Sequence, residues 1–197
     1  WLKPAGNHPT VPPPPPGRPP SPAFPRAARK MAEEEGSWDK TCEEWLISEG
    51  YCYAAAMAQL TDGAFYAAAP QANEEGWGHV YKEDHEEDIL QDDDTTKKMT
   101  INEPTCIMEA VNTGKTPPGG LWLGGKKYNL VQYDPAFESG DATLVVFSAA
   151  RPKAGVHIVS TGSQVIAAFY DEQKGQSPGN ARKAIIAFAE YLKGIGY

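Results

Sequence analysis

The segment NARKAIIAFAEYLKGIGY, residues 180–197, decides how the rest of the chain is arranged. Its apolar residues recur at helical spacing and form a stripe that must be buried against another element; they are Ile185, Phe188, Ala189 and Leu192. Asn180 is a suitable N-cap, and Gly194 stands where a left-handed C-terminal stop is expected. The segment therefore predicts a helix over 180–193 that packs on a larger body of the protein.

The two ends of this helix differ in chemistry. Arg182 and Lys183 make its start basic, whereas Tyr191 and Tyr197 make its end aromatic. Such a helix can serve two partners at once, one at each end. The alternative is a helix that only packs against the domain and whose surface residues bind no partner. The sequence of this helix, without the rest of the chain, favours that alternative.

The composition indicates one folded domain and excludes a membrane span. The chain has 197 residues, of which 41% are hydrophobic, and no apolar run reaches the roughly 18 residues that a span needs. No secretory signal is visible, and the three cysteines, Cys42, Cys52 and Cys106, lack metal-ligand spacing. We therefore expect a cytoplasmic protein with reduced thiols.

The net charge of −8 is unevenly distributed along the chain. Residues 1–30 contain five basic residues and no acidic one, so the remaining 13 basic and 26 acidic residues give 31–197 a net charge of −13. A domain this acidic repels nucleic acid and disfavours anionic membranes, including phosphoinositide surfaces. It suits a partner with exposed cations.

The N-terminal residues 1–30 hold 11 of the 18 prolines, including the run Pro12–Pro16. This composition predicts a disordered extension of polyproline II character, followed by a folded domain over 31–197. Two interpretations stay open. The segment is either an upstream extension before a natural start at Met31, or a ligand for a proline-binding groove on the same molecule.

The remaining pattern predicts an α+β domain. A helix capped by Ser37 is expected to run to Gly50, and another is expected to run from Asn102 to Gly114. Short apolar segments separated by tight turns predict an antiparallel sheet; they are 51–60, 64–69, 121–123, 127–133, 144–149, 156–160 and 165–170. Helices from both ends of the chain are expected to cover this sheet.

Residues 82–98 include eight acidic residues and are expected to form a solvated, mobile excursion. Their spacing lacks the pattern of a calcium loop, D-x-D-x-D-G-x5-E. His85 has no second histidine at ligand spacing, so we expect a surface histidine and not a metal ligand. We predict neither a metal nor a cofactor.

No catalytic arrangement is recognisable in the sequence. Gly120-x4-Gly125-Lys126 approaches a phosphate-binding loop, but Lys127 stands where a hydroxyl residue would hold Mg²⁺. The serines and cysteines lack a nucleophile motif, and His157 is expected to be a sheet-surface or satisfied core histidine. The chain is therefore predicted to be a binding protein and not an enzyme.

Seven stretches of the chain together resemble the profilin family of actin-monomer-binding proteins, most closely its apicomplexan branch. They lie in the expected order and are SWD (37–39), FYAAA (65–69), YKEDHEED (81–88), INE (101–103), GLWLGGKKY (120–128), YDEQK (170–174) and FAEYL (188–192), with the terminal Tyr197. The resemblance implies a central antiparallel sheet of about seven strands. It also implies that the N- and C-terminal helices pack together on one face and a further helix lies on the other.

The resemblance implies a first binding site, an aromatic groove between the terminal helices that takes proline-rich ligands in profilins. Its counterparts in this chain are Trp38, Tyr66, Tyr191, Leu192 and Tyr197. Polyproline II binds such a groove at low entropic cost, because it is already extended. Thr41 departs from a tyrosine that many profilins carry, and Trp45 can compensate for that loss.

The second implied site binds actin. Its counterparts in this chain are Lys127, Gly179 and Lys183, with Arg182 nearby. Gln132 departs from a basic residue that many members carry, so weaker actin binding is expected. The acidic segment 82–98 resembles an extra arm of the apicomplexan branch that reaches toward actin.

The expected partners are the actin monomer and proline-rich proteins such as formin-like nucleators. The alternative is a proline-rich-motif adaptor with weak or no actin binding. An intramolecular partner is also expected, because Pro16 lies 22 residues before Trp38 and a flexible linker of that length spans roughly 25 Å. Pro12–Pro16 would then reach and block the aromatic groove at an effective concentration of the order of millimolar.

Overall fold

The structure is a computed structural model that describes residues 38–90 and 93–197. Two predictions lie outside these residues, namely the extended character of 1–30 and the capping of the first helix by Ser37. No helix in the described part of the chain has both the length and the apolar character that crossing a membrane requires.

The described residues form strands and helices in mixed order. The strands are β1 (Ala54–Gln59), β2 (Phe65–Ala69), β3 (His85–Leu90), β4 (Thr96–Ile101), β5 (Leu121–Leu123), β6 (Lys126–Ser139), β7 (Ala142–Arg151), β8 (Ala154–Ser160) and β9 (Gln164–Asp171). The α-helices are α1 (Trp38–Cys42), α2 (Glu75–Val80), α3 (Glu103–Thr113) and α4 (Pro178–Gly194). A π-helical turn, Glu43–Ile47, continues α1, and 3₁₀ turns lie at Ala72–Glu74 and Glu172–Lys174.

Seven of the strands form one antiparallel sheet in the order β2-β1-β9-β8-β7-β6-β5. The strands from β5 to β9 follow one another as a meander, because short turns join each strand to the next. The β1–β2 hairpin joins this meander through the pairing of β1 with β9, in which Ala54 lies opposite Phe169. The predicted seven-stranded antiparallel sheet is confirmed.

Helices cover both faces of this sheet. On one face α1 and α4 pack together, and the stripe predicted from the sequence of α4 is fully buried there. On the other face α2 and α3 bury Val80 and Ile107 against the sheet. Burial of one large apolar side chain such as Phe188 contributes about 1.5–3 kcal/mol to the stability of the fold. Several such side chains on each face therefore hold the helices against the sheet. The predicted fold class is therefore confirmed.

The helix α4 begins earlier and ends later than its sequence predicts. Ser177 is its N-cap, since the amide of Asn180 donates a hydrogen bond to Ser177 Oγ at 3.2 Å. Pro178 fits the first turn, where its missing N–H would have had no helical partner. At the other end the helix includes Gly194, and the left-handed residue is Gly196 with φ 97°. The predictions of Asn180 as cap and Gly194 as stop are wrong.

The acidic segment is solvent-exposed as predicted, but it forms a β-hairpin. β3 pairs with β4 from His85 opposite Ile101 to Leu90 opposite Thr96. Lys98 Nζ lies 3.4 Å from Glu86 Oε2, so cations of β4 offset part of the acidic charge of β3. The sequence does not predict this strand pairing.

The surface position predicted for His85 is wrong. Its side chain is only 10% exposed, and its ring lies 5.8 Å from the ring of Trp122 on β5. Alternate residues of β3 face inward, as the burial of Ile89 shows, and His85 shares that side of the strand. The hairpin thus rests its inner side against the body of the domain.

Candidate functional site: an aromatic surface and the start of the last helix

Trp38 and Tyr197 meet at the junction of α1 and α4. Their ring centroids are 5.0 Å apart with an interplanar angle of 72°, an edge-to-face contact. The chain turns back at Gly196, and the amide of Tyr197 donates to the carbonyl of Leu192 at 2.9 Å. This turn directs the last residue toward the first residue of α1.

A second aromatic contact lies further along the same helix pair. Trp45 stacks on Tyr191 with ring centroids 4.9 Å apart and on Phe188 with centroids 5.6 Å apart. Trp45 is 37% exposed and Tyr191 is 41% exposed, so both present ring surface to solvent. Phe188 is fully buried and supports them from the core.

The remaining two residues predicted for the groove differ from each other. Tyr66 on β2 is half-buried against the core beneath α1 and α4, and its hydroxyl is 2.8 Å from Gln164 Oε1. Leu192 is fully buried in the same core and presents no surface to a ligand. Trp38, Tyr66, Tyr191 and Tyr197 therefore lie on one side of the sheet, together with Trp45, which was not predicted for the groove. Leu192 is part of the core beneath them and not of the groove surface, so its predicted role is wrong. We call these five exposed or half-buried aromatic residues the aromatic surface.

Two carboxylates of the first helix fix its position on the sheet. Asp39 Oδ1 accepts a hydrogen bond from the amide of Ala68 at 2.7 Å. Glu43 Oε2 accepts one from the amide of Gln71 at 2.9 Å. Because hydrogen bonds to a charged acceptor are stronger than neutral ones, these contacts hold the face that carries Trp38 and Trp45 in register with β2.

The start of α4 is tied to the centre of the sheet by a buried histidine. His157 Nε2 is 2.9 Å from the carbonyl oxygen of Pro178, which accepts only, so Nε2 carries the proton. Nδ1 then accepts a hydrogen bond from Ser148 Oγ at 2.9 Å. Burial lowers the pKa of His157 to about 4, and Arg182 acts in the same direction. Of the two alternatives predicted for His157, a sheet-surface or a satisfied core histidine, the structure shows the second.

The predicted actin contacts of α4 lie together at its start. Gly179 and Lys183 are exposed, and Arg182 is half-buried with its guanidinium carbon 5.0 Å from the ring centroid of Phe137. A Cβ on Gly179 would meet no atom within 4 Å, so nothing in the domain itself requires a glycine there. We call Gly179, Arg182 and Lys183 the helix-start surface.

Lys127 lies apart from the helix-start surface. Lys127 is exposed near the beginning of β6. Phe137, whose ring contacts the guanidinium of Arg182, lies ten residues further along the same strand. The middle of β6 lies between them: Gln132 pairs with Ser148, and Ser148 connects through His157 to Pro178. A partner that touched both Lys127 and Lys183 would therefore cover the middle of β6.

Val131 is a surface residue that the sequence reasoning missed. It lies on β6 beside Gln132 and is 67% exposed, so it presents an aliphatic side chain to solvent. A register shift between Leu130 and Gln132 leaves it outside the regular pairing. Adjacent residues of a strand face opposite sides of the sheet, so Leu130 packs against the core while Val131 faces solvent.

Glu103 is a second residue whose role the sequence did not reveal. Its side chain is fully buried and accepts hydrogen bonds from the amides of Lys82 (2.9 Å), Gly124 (2.9 Å) and Gly125 (2.6 Å). Burial raises the pKa of Glu103, and these three amides act against that shift. The glycine amides of the β5–β6 turn are thus bonded to a carboxylate, which agrees with the rejection of a phosphate-binding loop.

Comparison with known proteins agrees with this architecture. A family model described as Profilin matches residues 36–197. A profilin of Plasmodium falciparum is 33% identical over 165 residues, which cover 81% of this chain and 96% of that protein. The profilin of Plasmodium berghei is 32% identical over 165 residues, with 81% and 94% covered.

Solved structures show the same fold at lower identity. Acanthamoeba castellanii profilin IB superposes with a TM-score of 0.56 at 20% identity, over 82% of this chain and 100% of that one. Schizosaccharomyces pombe profilin gives a TM-score of 0.54 at 20% identity, with the same coverage. Since the family match spans most of the chain and the Plasmodium relatives are similar along nearly their whole length, this chain belongs to the profilin family, in its apicomplexan branch.

Proposed function

We propose that this chain binds the actin monomer through the helix-start surface and β6, and that it binds proline-rich ligands on the aromatic surface. Membership of the profilin family makes it an actin-binding regulator of the cytoskeleton and not an enzyme. The two surfaces, and the residues assigned to each, are our proposal. Its main support is that one helix, α4, carries Lys183 at its start and Tyr191 near its end, both exposed.

The spacing of the aromatic contacts supports a proline-rich ligand. Trp38 and Trp45 are seven residues apart, which corresponds to roughly 10 Å along a helix. One turn of polyproline II contains three residues and rises about 9 Å. The Trp38–Tyr197 and Trp45–Tyr191 contacts therefore suit two prolines three residues apart, and Trp45 takes over the contribution that Thr41 cannot make.

The actin-binding proposal relies on the exposed cations and on the exposed part of β6. Lys183 and Lys127 supply positive charge in a domain that is otherwise acidic, and such charge speeds encounter and fixes orientation more than it adds affinity. Val131 adds apolar area between them. By covering one face of the monomer, the protein would prevent that face from nucleating filaments while still permitting delivery to a growing end.

A second candidate function is an adaptor for proline-rich motifs that binds actin weakly or not at all. The observation that favours it is Gln132, a neutral residue in the middle of β6. Pull-down of actin monomers separates the two candidates, since the adaptor would capture no actin at roughly tens of micromolar protein. Capture of monomer in that range supports the first proposal.

Two further parts of the proposal concern regulation and location. Pro12–Pro16, outside the described residues, would compete in cis with external proline-rich ligands such as those of formin-like nucleators. We also propose that residues 31–197 form the functional domain, and that the protein acts in the cytoplasm in association with the cytoskeleton.

A further inference from the structure

Three basic side chains lie together at one end of the sheet, away from both surfaces described above. Lys126 begins β6, Arg151 ends β7, and Lys174 ends the 3₁₀ turn after β9. Arg151 pairs with Ala154, and Ala154 pairs in turn with Asp171, so the sheet brings the ends of these strands into one row. We call Lys126, Arg151 and Lys174 the cation cluster.

Two tyrosines form the floor of the cation cluster. The guanidinium carbon of Arg151 lies 5.8 Å from the ring centroid of Tyr128, and Lys174 Nζ lies 4.8 Å from that of Tyr53. Both rings also face Phe169, with centroid distances of 6.3 Å. These cation–π contacts hold the basic side chains over a rigid aromatic base.

The polar atoms beneath the cluster have no hydrogen-bond partner of good geometry. They are the hydroxyls of Tyr53 and Tyr128 and the Nε of Arg151, and all three are buried. Burial raises the pKa of Tyr128, which is fully buried; the nearby Tyr53 raises it further, whereas Arg151 lowers it. The two hydroxyls nevertheless interact with the guanidinium of Arg151 and help to hold it over the rings.

The three cations also lack carboxylate partners. Among the residues that the structure describes, ion pairs involve other cations, and none of the three approaches a carboxylate oxygen within 4.0 Å. Burial lowers the pKa of Lys126, and Arg151 and Lys174 lower it too, against the opposing effect of Asp171. Asp171 is thus a nearby negative charge, but it forms no ion pair with any of the three cations. Three cations near one such carboxylate leave a local positive charge in a chain whose net charge is −8, and this favours a bound anion.

We propose that the cation cluster binds a phosphate group carried by a soluble ligand. A phosphate monoester brings nearly two negative charges, which suits three cations better than a single carboxylate does. The planar guanidinium of Arg151 can donate two parallel hydrogen bonds to phosphate oxygens, while the lysines add point charges.

The cluster lies on the opposite face of the sheet from the aromatic surface and the helix-start surface, although Lys126 adjoins Lys127 of the proposed actin site on β6. Tyr53, Tyr128 and Phe169 belong to the core on the α2–α3 side of the sheet, whereas the aromatic surface lies on the α1–α4 side. Lys126 and Tyr128 are two residues apart on β6, so their side chains lie on the same side of the strand. This side faces away from the helix-start surface. A phosphorylated ligand and a proline-rich ligand can bind at the same time.

The test is calorimetric and thermal titration of the full chain with inorganic phosphate and with glycerol phosphate, each compared with chloride at equal ionic strength. We expect saturable binding that raises the melting temperature. Arg151→Gln, and separately Lys126→Gln with Lys174→Gln, should weaken the affinity at least tenfold. Lys40→Gln, an exposed lysine on α1, should leave it unchanged.

Three results would overturn the proposal. The first is a thermal shift that chloride or acetate reproduces at the same ionic strength. The second is an equal loss of affinity in the Lys40→Gln control. The third is binding to phosphatidylcholine vesicles that contain phosphatidic acid without any binding to glycerol phosphate, because this would assign the cluster to a membrane surface instead of a soluble ligand.

Discussion

Trp38 and Tyr197 lie in edge-to-face contact, with ring centroids 5.0 Å apart, although they stand at opposite ends of the described chain. The contact depends on two features: the turn at Gly196 that brings Tyr197 back, and the hydrogen bond from Ala68 to Asp39 that fixes α1 on β2. Together they make one continuous aromatic surface from two distant segments. The proposal of a proline-binding groove depends on this continuity.

The second aromatic contact should matter for ligand binding. Replacing Trp45 by alanine removes a stacked ring that is 37% exposed, so we expect a proline-rich peptide to bind about 1–2 kcal/mol more weakly, roughly 5- to 30-fold in Kd. Isothermal titration calorimetry with a synthetic decaproline peptide measures this change in Kd. Actin binding by the same variant should not change, and Leu90→Ser, an exposed residue of β3, serves as the control. An unchanged Kd for Trp45→Ala would place the ligand elsewhere.

The proline run should compete with external ligands. Deleting residues 1–30 should raise the affinity for decaproline, because the tethered run acts at an effective concentration of the order of millimolar. Within the full chain, replacing Pro12–Pro16 by serines should have the same effect, whereas replacing Pro19, Pro20 and Pro22 should have little. Equal affinity in all forms rules out the intramolecular contact. Loss of decaproline binding in the deleted form itself would instead contradict the groove.

The buried histidine should make stability depend on pH. The pKa of His157 is lowered to about 4 in the fold, while the unfolded chain keeps the ordinary value near 6.5. The unfolded state therefore binds more protons between these values, and the stabilisation present above pH 6.5 is lost as the pH falls toward 4. The full loss is about 3 kcal/mol, from ~1.4 kcal/mol per pKa unit.

Urea unfolding of the wild type and of His157→Gln at pH 7 and pH 4.5 measures this loss. The wild type should lose more stability over that interval than the variant, because the variant has no imidazole to protonate. Carboxylates contribute equally to both proteins, so the difference isolates His157. Parallel losses in the two proteins would contradict the assignment.

The buried carboxylate should be important for stability. Glu103→Gln keeps the shape but replaces one acceptor oxygen by an amide donor that faces the amides of Lys82, Gly124 and Gly125. We expect a loss of roughly 2–4 kcal/mol in the free energy of unfolding, since three hydrogen bonds to a charged acceptor are weakened. Denaturant unfolding checks it. Glu109→Gln on the same helix is the matched control and should change little.

Local rules predicted much of the fold from the sequence. Asn102 caps α3 through a hydrogen bond from Thr105, and Gly114 ends it in a left-handed conformation, both as expected. The stripe on α4 is buried because its spacing matches the helix period. The start of α4 was mispredicted because Asn180 is also a good cap, and the Ser177-Pro178 pair was the stronger sign.

Other features depended on tertiary contacts that spacing does not reveal. The strand β3 was missed because its acidic residues mask the alternation of His85 and Ile89, whose inward positions follow from packing on the domain. Leu192 was assigned to the groove by resemblance, yet the close approach of α4 to the sheet buries it. The hydrogen bonds of Glu103 join residues about twenty positions apart, so no local pattern marks them.

The most direct test of the central claim is actin sequestration by Lys183→Glu, compared with wild type and with Lys40→Glu, which makes the same charge change on an exposed residue of α1. Wild type and Lys40→Glu should bind actin monomers alike, and Lys183→Glu should bind at least about tenfold more weakly, a change of ~1.4 kcal/mol. All three should bind decaproline equally. Full actin binding by Lys183→Glu would contradict the assignment of the actin site to the start of the last helix.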